Sequence, residues 1–268
     1  VENQKVQLLS SAFHTNDNTE KIESALKLFE EYCVQTYVHP ERRKKFQGWQ
    51  SFVRPNKLDF YHLMHAGCSE SKLPELFQGP TEHLRHRVGF KLTDPRMTQK
   101  EYLREVDYCI YCHARQKDSC AKGFPEKTGG FKKNPLGIEL EGCPLDERIS
   151  EMHLLRNEGE VIGSLAMIML DNPMCPGTGH RICNDCMKGC IFQKQDPVNI
   201  PQSETGILTE ILNLPWGFEI YSLLTRFNPL NRKRPYALPY NGKNVLVVGL
   251  GPAGYTLAHY LANDGFGV

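Results

Sequence analysis

Thiol groups at metal-ligand spacing are the chemistry this chain carries most visibly. Ten cysteines occur in 268 residues, and eight of them fall between Cys109 and Cys190. They run Cys109-Ile-Tyr-Cys112, Cys120, Cys143-Pro144, Cys175, then Cys183-Asn-Asp-Cys186-Met-Lys-Gly-Cys190. A CxxC turn offers two thiolates from one loop and backbone N–H groups for the sulfurs of a bound cluster. Disulfides are a poorer use, because neighbours this close are badly placed to bond each other and a chain this long needs no staples. There is enough thiolate for two iron–sulfur clusters. The alternative is a zinc-stabilised binding module without redox activity, with Cys109/Cys112 and Cys183/Cys186 at one tetrahedral ion. Those pairs lie further apart than in a zinc ribbon, and several cysteines would be left over.

A second motif follows the thiols. Asn244-Val-Leu-Val-Val-Gly-Leu-Gly-Pro-Ala-Gly254 reads as a buried strand entering GxGxxG, with a helix pattern in Leu257, Ala258, Tyr260 and Leu261. Strand, turn and helix in that order form the dinucleotide-binding fingerprint. Gly249 permits the tight turn, Gly251 admits a pyrophosphate to the backbone, and Gly254 lets helix and strand pack closely. The helix N-terminus then presents free N–H groups to the phosphates. Gly265-Phe-Gly-Val268 looks like the entry to a second strand, without the acid that would hold a ribose. The sequence is therefore expected to be a fragment that does not complete a flavin site alone.

Composition narrows the partners. Lysine and arginine number 32 against 31 acids, a net charge of +1, so bulk charge makes no case for nucleic acid or a membrane surface. The apolar run over 161–170 is too short to span a bilayer, and Val-Glu-Asn-Gln-Lys is no signal peptide start. A cytoplasmic protein is expected.

The elements that must position these groups are mainly helical. Asp17-x-x-Glu20 reads as a capping box before a helix whose face carries Ile22, Leu26, Phe29 and Cys33, with Cys33 as buried apolar filler. The pairs His62/His65 and His83/His86 read as structural or surface histidines. Thr98-x-x-Glu101 is a second capping box, opening a helix with Tyr102, Leu103 and Val106 on its apolar face and Cys109 at its end. The stretch 121–142 is rich in Gly, Lys and Pro and reads as a solvated loop. Helices are expected over 146–156, over 161–169 and from about Ser203, and a linker over 228–235. No strand-rich region is expected before Val245.

In combination the segments resemble a known family. Gly142-Cys-Pro-Leu-Asp with Leu154-Leu-Arg-Asn-Glu-Gly-Glu, Asp171-Asn-Pro leading to His180-Arg-Ile-Cys183, and Asp196-Pro-Val-Asn-Ile-Pro-Gln-Ser-Glu204 carry the likeness. The stretch from Cys109 to about Ile211 is similar to the N-terminal iron–sulfur domain of the glutamate synthase small subunit, shared with dihydropyrimidine dehydrogenase. The resemblance implies a helical domain with two four-iron clusters. Cys109, Cys112, Cys120 and Cys190 would hold one, and Cys143, Cys183, Cys186 and Glu204 the other. Cys175 is an extra thiol that could replace Glu204. In relatives the third and fourth cysteines are close in sequence, whereas here the insertion separates Cys120 from Cys143. Pro252-Ala253 between the last two glycines is typical of flavin-binding relatives, which implies FAD at Gly249, Gly251, Pro252, Ala253 and Gly254.

The expected architecture is thus a helical extension over 1–97, a helical two-cluster domain over 98–238, and the first βα unit of a truncated Rossmann-type FAD domain over 239–268. The implied activity belongs to the complete protein: NAD(P)H reduces FAD, and electrons pass through the clusters to an acceptor subunit or domain. The extension could recruit that acceptor.

Overall fold

The structure is a computed structural model that describes residues 19–39, 41, 53, 55–64, 66–68, 73, 75–79, 86–91 and 94–268. Asp17, His65 and His83 lie outside the described residues. The chain divides into two compact units, Val1–Gln50 and Ser51–Val268. In the first, α1 (Thr19–Val38) carries Ile22, Leu26 and Phe29, which are 57%, 40% and 38% exposed. Cys33 is exposed as well, which corrects the expectation of a buried filler.

The second unit is dominantly helical. Strands β1 (Gly67–Cys68) and β2 (Phe77–Gln78) form a short antiparallel pair with Gly67 opposite Gln78. Next come α2 (Gln99–Tyr108), a 3-10 turn (Cys112–Arg115), α3 (Ser119–Lys122), α4 (Ile149–Asn157), α5 (Val161–Asp171) and α6 (Cys175–Thr178). The series continues with α7 (Asp185–Gly189), α8 (Ile200–Leu212), α9 (Gly217–Arg226) and α10 (Pro252–Asn263). Among the described residues, no helix is long and apolar enough to cross a membrane.

Local chemistry explains three of the boundaries. Thr98 and Glu101 close the expected capping box: Thr98 Oγ1 accepts from Glu101 N, and Thr98 N donates to Glu101 Oε2 at 2.7 Å. Asn172-Pro173 ends α5, since the residue before proline is pushed out of helical geometry. Pro201 sits in the first turn of α8, where its missing N–H costs nothing, and Asn199 caps Gln202 N.

The core lies where α8 crosses α2, α5 and α9 and where α4 packs on α5. Tyr102, Val106, Ile149, Leu165, Ile207 and Ile211 are each buried to within 1%. A polar clamp ties α2, α4 and α8 together. Tyr102 Oη donates to Glu210, and Arg156 donates to Tyr102 Oη at 3.0 Å and to Glu210 Oε2 at 2.9 Å. Burial raises the Glu210 carboxyl and lowers the Arg156 guanidinium, so the pair is formed at some desolvation cost.

Two expectations need correction, and one helix was missed. The segment 228–235 is not a loose linker: Asn228 is buried, its side chain donates to Ala166 O at 2.7 Å, and its N–H bonds Pro235 O. Helix α9 was not anticipated. It starts after Trp216 in the left-handed conformation (φ 63°), with no capping side chain to announce it. The stretch after Asn244 is not a buried strand, because Leu246, Val248 and Leu250 are 88–90% exposed. It makes one parallel bridge, Asn244 to Gly267, and a single βα unit cannot cover both its faces.

Candidate functional site

The cysteines sort into two groups. Cys109 caps the C-terminus of α2, Cys112 opens the 3-10 turn, Cys120 lies in α3, and Cys190 follows α7. All four line one small pocket that is partly open to solvent. Its other walls are largely apolar and include Ile149, Phe192, Val198 and Ile200. Burial pushes the Cys109 thiol up to about 12 and raises Cys112, Cys120 and Cys190 as well, with neighbouring thiolates adding repulsion for Cys109, Cys112 and Cys120.

Cys143, Cys183 and Cys186 come within electrostatic reach of Glu204 on the buried face of α8. Cys143, Cys183 and Glu204 all act electrostatically on Cys186, whose thiol is raised chiefly by burial. Cys143 is pushed up to about 12 by burial, with Glu147 the largest charge acting on it. Cys183 remains exposed. Its sulfur takes a hydrogen bond from Asp185 N at 3.4 Å at the start of α7. Glu204 and Glu147 are hydrogen-bonded to each other, and burial raises both carboxyls. Cys175 is 1% exposed and faces this carboxylate pair, which lifts its thiol beyond what burial does.

The insertion does not keep Cys120 from Cys143. It folds back on itself, with Phe124 N bonded to Leu140 O at 2.8 Å and bridges at Pro125–Phe131 and Lys133–Glu139. Cys143 N then donates to Cys120 O at 2.8 Å. The return requires Gly142, which has φ +85° and where a Cβ would overlap Gly123 N. Gly189 serves the same purpose beside Cys190: its bare Cα lets α7 lie against Ser119 and Cys120.

Remote residues steady these loops. Asp94 accepts from Arg181 at 2.8 Å and pairs with His180 at 3.0 Å, which holds the approach to Cys183. Those hydrogen bonds, from His180 first and Arg181 next, lower its carboxyl. Asn56 N bonds Asp196 Oδ2 and Leu58 N bonds Lys194 O, so chain before residue 94 secures the segment after Cys190. His62 pairs with Asp59 at 2.7 Å on the surface, as expected of a structural histidine.

Among the described residues, no three cysteine sulfurs lie within 4.8 Å of one another, the spacing of ligands sharing one ion. The pairs named for a single zinc, Cys109/Cys112 and Cys183/Cys186, belong to different groups. The ligands of a cubane cluster sit on separate irons and stand further apart. Glu147 was missed in the sequence: an acid four residues after Cys143 carries no mark of burial.

At the glycine motif, Gly249 has φ +106° and a Cβ on Gly254 would run into Gly249 O. Nothing lies within 4 Å of a Cβ placed on Gly251, which leaves its backbone approachable. Pro252 and Ala253 form the first turn of α10.

No protein-family model matches the chain. It is 59% identical over 95 residues to the Uncharacterized protein RP006 of Rickettsia prowazekii (strain Madrid E), which covers 35% of this chain. It is 40% identical over 77 residues to the Uncharacterized protein RP005 of the same organism, covering 26% of this chain. The chain spans 14% of the length of the first and 26% of the second.

Proposed function

We propose that the chain is the electron-transfer portion of an NAD(P)H-dependent flavin and iron–sulfur oxidoreductase similar to the glutamate synthase small subunit. It would pass electrons between FAD and a partner subunit or domain through two four-iron clusters. The sorting of the cysteines carries this reading. The four that the resemblance assigns to one cluster line one pocket, although they come from three separate stretches of chain. The other three come within electrostatic reach of Glu204.

The donor set suits the group. Buried thiols held protonated by desolvation give up their protons when a metal takes their place, so binding couples to folding. When bound, such clusters supply one-electron carriers. The chain's own residues do the rest. Ile149, Val198 and Ile200 give the first pocket apolar walls, which would tune the potential of a cluster held there through local polarity. Glu204, with Glu147 behind it, offers an oxygen donor where the second group lacks a fourth thiolate. Gly251 and the α10 N-terminus offer backbone N–H groups to a pyrophosphate. No side chain is cast as acid, base or nucleophile.

The test is a pair of single substitutions in anaerobically purified protein. Cys109→Ser and Cys186→Ser should each remove about half of the bound iron, through different clusters. Iron unchanged in both variants would defeat the assignment.

A further inference from the structure

We propose that His113, Asp118 and Glu151 form a binding site for one divalent first-row transition-metal ion, separate from the thiolate groups. His113 lies in the 3-10 turn after Cys112, Asp118 immediately precedes α3, and Glu151 is in the first turn of α4. The fold brings them together because α4 packs on that turn, where His113 N donates to Ser150 Oγ at 3.3 Å. His113 Nδ1 stands 3.2 Å from Glu151 Oε1 and 3.5 Å from Asp118 Oδ2. One ligand atom of each residue lies within 4.8 Å of the other two.

Those separations suit a shared ion. Ligands about 2.1 Å from a metal at the tetrahedral angle stand about 3.4 Å apart. Hydrogen bonding alone accounts for less, since one Nδ1–H serves one carboxylate and 3.5 Å is too long for a good bond. Glu151 Oε1 is the oxygen beside His113, while Oε2 is shielded and makes no hydrogen bond among the described residues, although the side chain as a whole is 26% exposed; a shielded carboxylate oxygen without a donor is costly. The His113 side chain is 61% exposed, which gives the ion a route in. One imidazole and two carboxylates favour ions from Mn2+ to Zn2+ over Cu(I), which prefers sulfur.

Position gives the site a consequence. Asp118 Oδ1 accepts from Cys120 Sγ at 3.9 Å, so an ion here would stand one side chain from the first thiolate group. Its charge would raise the reduction potential of a cluster held there, an effect that rests on the proposed function. The binding itself does not.

The probe is Mn2+ titrated into the anaerobically purified chain, with free Mn2+ read by electron paramagnetic resonance. Wild type should bind one Mn2+ per chain. Glu151→Gln and His113→Gln should each weaken that binding at least about tenfold, with helicity by circular dichroism unchanged. Wild type that binds no Mn2+ at millimolar concentration, or folded variants that bind it as wild type does, would overturn the proposal. Iron and sulfide assayed on the same samples report on the clusters separately, so either reading can fail without the other.

Discussion

Replacing Gly189 with alanine tests whether close backbone contact between α7 and α3 builds the first thiolate pocket. A Cβ there would overlap the Ser119 carbonyl oxygen and lie 3.0 Å from Gly142 Cα and 3.2 Å from Cys120 Cα. All three are backbone atoms, so no side chain can rotate aside. The two segments must part by something on the order of 1 Å, at an overpacking cost of about 1–3 kcal/mol. With a urea dependence of about 1–3 kcal/mol per molar, the midpoint should fall by roughly 1 M. The same displacement carries Cys120 away from Cys190 and disturbs the Cys143 N to Cys120 O bond, so bound iron should fall too. The assays are urea unfolding followed by far-ultraviolet circular dichroism, and iron per chain after anaerobic purification. A Gly189→Ala protein with the wild-type midpoint and full iron would refute the reasoning.

Other outcomes follow from single residues. His153 is fully buried with neither ring nitrogen bonded among the described residues, and burial holds it down at about 3. The folded state therefore keeps it neutral while the unfolded chain takes up a proton below its ordinary value of about 6.5. Stability should be intact above that value and be lost as pH falls towards 3, by about 2 kcal/mol at pH 5. The urea-midpoint advantage of His153→Leu should grow between pH 7.5 and pH 5; a constant difference contradicts this. Thr98→Ala should cost about 1 kcal/mol and lower the thermal midpoint by about 2–4 °C, and an unshifted midpoint would deny the capping box its role. Glu204→Ala should lose about half the iron while Cys175→Ala keeps it, and the reverse pattern would make Cys175 the fourth ligand.

What could be read from the chain alone was the part written in local chemistry. The Thr98 capping box, the Asn172-Pro173 stop and the apolar face of Ile207, Leu208 and Ile211 each act within a few residues, and each marks an element where expected. The grouping of the cysteines came through resemblance alone, and the backbone contacts between their loops are remote in sequence. Cys143 meets Cys120 through a backbone bond closed by a folded insertion, which spacing in the sequence cannot express. Helix α9 escaped because the left-handed Trp216 is no usual cap. The 228–235 segment misled because its polar residues look solvated, while Asn228 reaches a helix carbonyl. Glu147 and Asp94 were passed over for the same reason: their partners lie far along the chain.

The most direct test is the iron and acid-labile sulfide content of the chain purified without oxygen. Two four-iron clusters require about eight atoms of each per chain and a brown sample. A colourless, fully helical protein carrying zinc and no sulfide would contradict the account.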